Sequence, residues 1–277
     1  MEKDIKSVLA ENNFGFKKRF GQNFITDKNL LNSIVEQSGA DKNTTVIEIG
    51  CGAGTLTRAI AERAKNVIGF EVDKTLQPVL AQTLAGLDNV EVVFRDFLKV
   101  NLSELEQKTG EYSVIANLPY YVTTPLITKL LEEGRLCKSL TVMVQEEVAL
   151  RLCAKENTPD YGAITAVIAL RADAEIIKKV PRRMFTPQPN VDSAVVKLTV
   201  RDGRIPVKDA ELYKKTVHAA FAARRKTLSN NLVNVFKLTR EQAEKVLTAC
   251  GIGLKARGET LSPETFALLS DELAKYL

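Results

Sequence analysis

Apolar positions along this chain alternate between two spacings. From about Asp27, "KNLLNSIVEQSGA" repeats every three or four residues, as a helix does, and stops at Gly39. "TVIEIG" is a short unbroken run, as a buried strand is, and ends in glycine. The alternation goes on through helix "TLTRAIAERA", strand "NVIGFEVD", helix "KTLQPVLAQTLAG" and strand "VEVVFRD". A polar segment follows, then strand "YSVIAN", helix "TTPLITKLLEEG", strand "LTVMVQ" and helix "EEVALRLCA". Strands separated by helices of this length join through right-handed crossovers into a mostly parallel sheet. Two later runs, "ITAVIALRADAEIIKKV" and "SAVVKLTV", read as β-rich with no helix between them. They are expected to pair antiparallel at the sheet edge, making seven strands in all. The segment between them, "PRRMFTPQPNVD", holds three prolines and predicts a structured loop.

After "RDGRIP" the pattern becomes helical throughout: "KDAELYKKTVHAAFAARR", "TLSNNLVNVF", "TREQAEKVLTAC" and "SPETFALLSDELAKYL", with N-caps expected at Thr239 and Ser262. A boundary near residue 203 is expected, giving an α/β domain over 1–203 and a small all-α domain over 204–277.

Composition excludes several classes. The chain has 277 residues, 45% of them hydrophobic, which is enough for a core. No run approaches the roughly 20 apolar residues of a membrane span. The start, "MEKDIKSVLAENN", is charged and has no apolar stretch of a secretory signal. The 4 cysteines lie far apart, which suits reduced thiols in a cytoplasmic protein. With 1 histidine, a His-based metal site or a Ser-His-Asp triad is disfavoured. Net charge is +5, and from Ile205 onward 12 Lys and Arg face 8 Asp and Glu. Basic clusters stand at Lys17–Arg19, Pro181–Arg183 and Arg224–Lys226. Such clusters are often only solvated faces; three of them with a basic tail point toward nucleic acid, with Arg182, Arg183, Arg224, Arg225 and Lys226 as candidate RNA contacts. At helical spacing Arg224 and Arg225 would lie about 100° apart.

The chemistry gathers at strand ends. "EIGCGAGTLT" places Gly50, Gly52 and Gly54 between a strand and a helix, where backbone can approach a ligand closely. Glu71 ends the next strand and Asp96 the one after it. Open α/β sheets bind ligands at this edge. A dinucleotide and S-adenosylmethionine both fit. The second acid favours the latter, because its adenosine needs one acceptor for ribose and another for the exocyclic amine.

Asn117 ends the fourth strand, inside "ANLPYYVTTP". Transfer of a sulfonium methyl is an in-line displacement in which positioning dominates. An exocyclic base nitrogen is a poor nucleophile, since its lone pair delocalises into the ring. Acceptors aimed at its hydrogens localise that pair. The Asn117 side-chain oxygen is one acceptor, and the Leu118 carbonyl, held extended by Pro119, is a second. Tyr120 can stack on the base. No general base is needed.

"NLPY" after "EIGCGAGTLT", with "RFGQNFITD" before and "FTPQPNVDSAVVKL" after, resembles the ribosomal RNA adenine N6-dimethyltransferase family. Within it the likeness is to the bacterial branch acting on small-subunit (16S) rRNA, and it covers roughly Phe16 to Leu198. The family implies a Rossmann-like class I methyltransferase fold and S-adenosylmethionine as cofactor. It implies that Asn23, Ile25, Gly50, Glu71, Asp96 and Asn117 line the cofactor site. Phe185 would stack on a flipped adenine opposite Tyr120. The expected activity is N6,N6-dimethylation of two adjacent adenosines in a terminal hairpin loop of 16S rRNA, in the small ribosomal subunit or its precursor, with a role in subunit biogenesis. A monomer is expected. Where Cys51 and Ile25 stand, the family more often has Pro and Leu. Large-subunit resistance methyltransferases usually carry Ile where this chain has Leu118. An assembly-checking RNA-binding module and an NAD oxidoreductase are the competing classes.

Overall fold

The computed structural model describes residues 5–17, 20–201 and 203–277. Lys18 and Arg19 of the first basic cluster, and Asp202 beside the expected boundary, lie outside the described residues. The chain divides into two compact units, Met1–Ala149 with Glu175–Val200, and Leu150–Ala174 with Arg201–Leu277.

The chain opens with α1 (Ile5–Glu11), β1 (Phe24–Ile25), α2 (Lys28–Ser38), β2 (Thr45–Ile49), α3 (Thr55–Arg63), β3 (Asn66–Glu71), α4 (Gln77–Thr83) and β4 (Val90–Phe94). It continues through α5 (Leu102–Thr109), β5 (Tyr112–Asn117), α6 (Thr123–Glu133), β6 (Cys137–Gln145) and α7 (Glu146–Leu152). Next come α8 (Ala163–Ala169), β7 (Ala172–Val180), β8 (Phe185–Thr186) and β9 (Ser193–Val200). The seven-stranded sheet has the order β4-β3-β2-β5-β6-β9-β7. Neighbours from β4 through β6 are parallel, and β9 runs antiparallel to β6. The order reverses between β2 and β5, so a crevice opens beyond their carboxyl ends. The remaining pair, β1 with β8, forms a separate two-stranded ribbon.

Two expectations need correction. The polar segment after β4 is a helix, α5, started by the Asn101 side chain accepting from the Glu104 N–H. The run "ITAVIALRADAEIIKKV" is not one strand but α8 followed by β7. An apolar run this short reads equally as helix or strand by period, and packing decides. Ala166 and Leu170 are buried in the core of the second unit beside Tyr161 and Tyr213. The charged opening stretch also forms a helix, α1, because Ile5, Val8 and Leu9 pack on Phe24 and α4.

In the second unit, α9 (Ala210–Phe221), α10 (Leu228–Phe236), α11 (Arg240–Ala249) and α12 (Pro263–Leu273) enclose that core. Both expected caps are present: Thr239 forms a reciprocal pair with Gln242, and Ser262 accepts from the Thr265 N–H. The two buried tyrosine hydroxyls are satisfied by backbone, Tyr161 by the Leu261 carbonyl and Tyr213 by that of Ala166, each at 2.8 Å. No described helix is long and apolar enough to cross a membrane.

Candidate functional site

A cavity of about 340 Å³ opens in the first unit at the carboxyl ends of β2, β3, β4 and β5. That is within the range of small-molecule sites. Asn23, Ile25, Gly50, Glu71, Asp96 and Asn117 all line it, as does Pro119. Six residues spread over almost a hundred positions thus meet in one cleft.

The glycine turn and Glu71 are tied together. Glu71 is buried, and its Oε2 accepts from the Gly52 N–H at 2.9 Å. Its Oε1 accepts from the Val72 and Asp73 N–H groups, each at 2.8 Å. Burial raises the Glu71 pKa, while the backbone donors at Asp73, Gly52 and Val72 work in the opposite direction. Gly52 has φ +53°, and a Cβ there would lie 2.8 Å from Phe24 Cε1. Beneath the turn, Cys51 is buried and its thiol donates to the Phe70 carbonyl at 3.7 Å. A Cβ on Gly69 would meet that sulfur at 2.3 Å, so the cysteine and this glycine fit as a pair. Asp96 accepts from the Leu98 N–H at 3.0 Å through Oδ1. Its Oδ2 has no donor among the described residues.

One wall of the cleft is a strap from the N-terminal segment, including Phe20 to Ile25. Lys17 Nζ reaches Asp73 Oδ1 at 2.7 Å and Thr75 Oγ1 at 2.6 Å, and Gln22 Nε2 reaches Asp73 Oδ2 at 2.9 Å. Asp73 is buried, which by itself raises its pKa; the bonds from Lys17, Thr75 and Gln22 outweigh that and hold it at about 2.

Asn117 has a fixed orientation. Its Nδ2 donates to the Asn23 carbonyl at 2.9 Å, and no donor among the described residues reaches its Oδ1. The oxygen is therefore the acceptor end available in the cleft. The Leu118 N–H donates to the Met143 carbonyl at 3.1 Å, and Pro119 has φ −59°. No donor among the described residues reaches the Leu118 carbonyl. The Tyr120 hydroxyl lies 2.8 Å from Ser193 Oγ, which anchors the ring's outer end; burial raises its pKa.

Other sequence candidates lie elsewhere. Leu118, Tyr120 and Phe185 are not part of the cleft lining. Phe185, whose expected stacking on a base calls for an accessible ring, is only 4% exposed. It pairs with Ile25 across the ribbon and packs among residues of α2 and α3. Arg182 braces its own loop, its guanidinium donating to the Asn190 carbonyl at 2.9 Å. Arg183 is exposed, with no side-chain partner among the described residues. Arg224, Arg225 and Lys226 lie in the turn after α9 and not on a helix, so the helical spacing expected for them does not apply. Arg224 donates to the Pro159 carbonyl and approaches Glu259 at 4.0 Å. Arg225 and Lys226 are exposed, with no side-chain partner among the described residues.

Sequence reasoning missed two features. The Asp73 latch had no local signal, since its strap partners Lys17 and Gln22 stand some fifty positions away. Glu48, in the middle of apolar β2, did have one. It lines the cleft with 0% exposure, and neither carboxyl oxygen has a hydrogen-bond partner among the described residues.

The arrangement suits an adenosyl ligand: a glycine turn for close approach, an acid for ribose, another for an amine, and an orphaned buried carboxyl facing the same space. Comparison with known proteins identifies the family. Residues 13–275 match the ribosomal RNA adenine dimethylase family. A ribosomal RNA small subunit methyltransferase A from Geobacillus thermodenitrificans is 47% identical, covering 99% of this chain and 98% of the relative. A dimethyladenosine transferase structure from Plasmodium falciparum is 25% identical with TM-score 0.78, covering 91% of this chain and 98% of that one. The structure of the 23S rRNA methyltransferase ErmE is 29% identical with TM-score 0.70, covering 91% of this chain and 100% of that one.

Proposed function

The chain belongs to the ribosomal RNA adenine dimethylase family, and from that premise we propose that it dimethylates N6 of two adjacent adenosines in a terminal hairpin loop of 16S rRNA. The substrate is the small ribosomal subunit or its precursor, and the reaction serves subunit biogenesis. S-adenosylmethionine supplies the activated methyl group when bound. Glu71 accepts from its ribose hydroxyls, Asp96 through its free oxygen from the adenine amine, and Gly50 lets backbone approach.

The observation that carries the reading is Asn117. Its amide nitrogen is engaged by Asn23, so its oxygen is left to accept from the target amine, with the Leu118 carbonyl as the second acceptor. Two acceptors on one amine draw its hydrogens out of the ring plane and localise the lone pair for attack on the methyl carbon. The nitrogen then carries positive charge, which a ring face such as Tyr120's favours. The amine loses its proton to solvent after transfer, so no side-chain base is required. A base inside a hairpin loop is already partly unstacked, which lowers the cost of extruding it.

The full-length relative named for the small subunit favours that target; the likeness to ErmE keeps the large subunit as the second reading. Purified unmethylated small and large subunits, each offered with labelled S-adenosylmethionine and mapped by mass spectrometry, decide between them. The expected result is two adjacent dimethylated adenosines in 16S rRNA and an unlabelled large subunit. Label confined to the large subunit would establish the second reading, and no label on either would remove the enzymatic one.

A further inference from the structure

Glu48 stands between Ile47 and Ile49 on β2 and faces the cleft with no exposed surface. A buried polar group without partners costs free energy, and an unpaired buried charge costs much more. The other acids of the cleft avoid this: Glu71 takes three backbone donors and Asp96 one. Glu48 takes none. Gly69, its neighbour in register on β3, offers no side chain. The Cys51 thiol is spent on the Phe70 carbonyl, and the Thr57 hydroxyl, from α3, is itself unpartnered. Thr57 and Cys51 are near enough to favour the ionised form somewhat, yet neither completes a hydrogen bond to it. Of titratable groups, Glu71 and Cys51 face it, and among the described residues no cation offsets them. Burial first, and then the charge of Glu71, push its pKa to about 8.

Hydrophobic packing does not require a carboxyl here, and β2 is otherwise apolar inside. A cationic ligand does make use of one. The cofactor assigned above, on which this inference rests, carries a sulfonium and, near neutral pH, an ammonium group. We propose that Glu48 is the counter-charge for that cofactor, protonated while the cleft is empty and ionised once it is filled, so that each cofactor captured expels one proton. The O–H bond of the carboxyl breaks, its electron pair stays on the carboxylate and the proton passes to solvent. Nothing is oxidised or reduced.

Calorimetric titration of the intact protein with S-adenosylmethionine tests this, at pH 6.5 in two buffers of different ionisation enthalpy. The wild type should release about one proton per cofactor, and its affinity should rise about tenfold from pH 6 to pH 7. Glu48→Gln should release none and show a flat profile over the same range. A wild type that binds the cofactor without releasing a proton overturns the proposal, and so does equal release by both proteins. The wild-type proton count decides by itself should the variant not fold. Failure of the wild type to bind the cofactor at all is a different result, which overturns the reading of the preceding section and this one with it.

Discussion

At the scale of single residues, most polar atoms of the cleft are engaged and a few acceptors are left free. Asn117 is the plainest case, since its nitrogen is bound to Asn23 and its oxygen is not. In the role proposed for it, its acceptor matters most when charge develops on the target amine. Asn117→Ala should therefore lower the single-turnover methylation rate about a hundredfold or more, the scale of one preorganised hydrogen bond. Affinity for the subunit should change little. Collapse of binding with surviving chemistry would remove this role. Phe185 obeys a different logic. With 4% of its surface exposed, Phe185→Ala should cost about 3–5 kcal/mol of stability by chemical denaturation. A stability change under 1 kcal/mol would contradict the packed position. A base-stacking role would register separately, as a rate loss in Phe185→Leu at unchanged stability.

At the scale of elements, the strap and its latch hold one wall of the cleft. Asp73 receives Lys17 and Gln22 from the strap and, through its own N–H, touches Glu71. The sign of its pH dependence follows from a folded pKa of about 2 against the ordinary 3.8. Its contribution is present above the ordinary value and fades as pH falls toward about 2. Asp73→Asn should lower stability at pH 7 by about 1.5–3 kcal/mol, the scale of hydrogen bonds to a charged group. The gap between wild type and variant should close as pH falls from 4 toward 2. Melts that keep the same gap at every pH would show that the carboxylate's charge is irrelevant to the latch.

At the scale of the whole molecule, the cleft lies wholly within one unit, while the last quarter of the chain carries most of the net positive charge. The second unit is proposed to read rRNA phosphates. Its turn after α9 divides the labour: Arg224 is engaged with Pro159 and Glu259, while Arg225 and Lys226 are exposed. Replacing Arg225 and Lys226 by Ala should weaken subunit binding and flatten its salt dependence by a slope of up to about 2. Cofactor affinity should not change. Binding measured at several salt concentrations settles it, because an unaltered slope and affinity would leave these charges merely solvated.

The sequence by itself determined the alternation of strands and helices, the parallel sheet, the glycine turn, the acids at successive strand ends and the Asn-Leu-Pro-Tyr corner. Each of these is written in spacing or in a residue type whose backbone preferences act locally, as Thr239 and Ser262 also show at their caps. Tertiary structure decided the rest. It made α8 from a run that reads as strand, because Ala166 and Leu170 had a helical core to join. It turned Phe185 inward by pairing β8 with β1, a partner some 160 residues earlier. It ended α9 before Arg224, and it left Glu48 without a partner among the described residues while Glu71, nearby, received three. Period and propensity record how a residue meets its neighbours in the chain; which distant group fills or leaves empty the space beside it depends on packing, and that has no local trace.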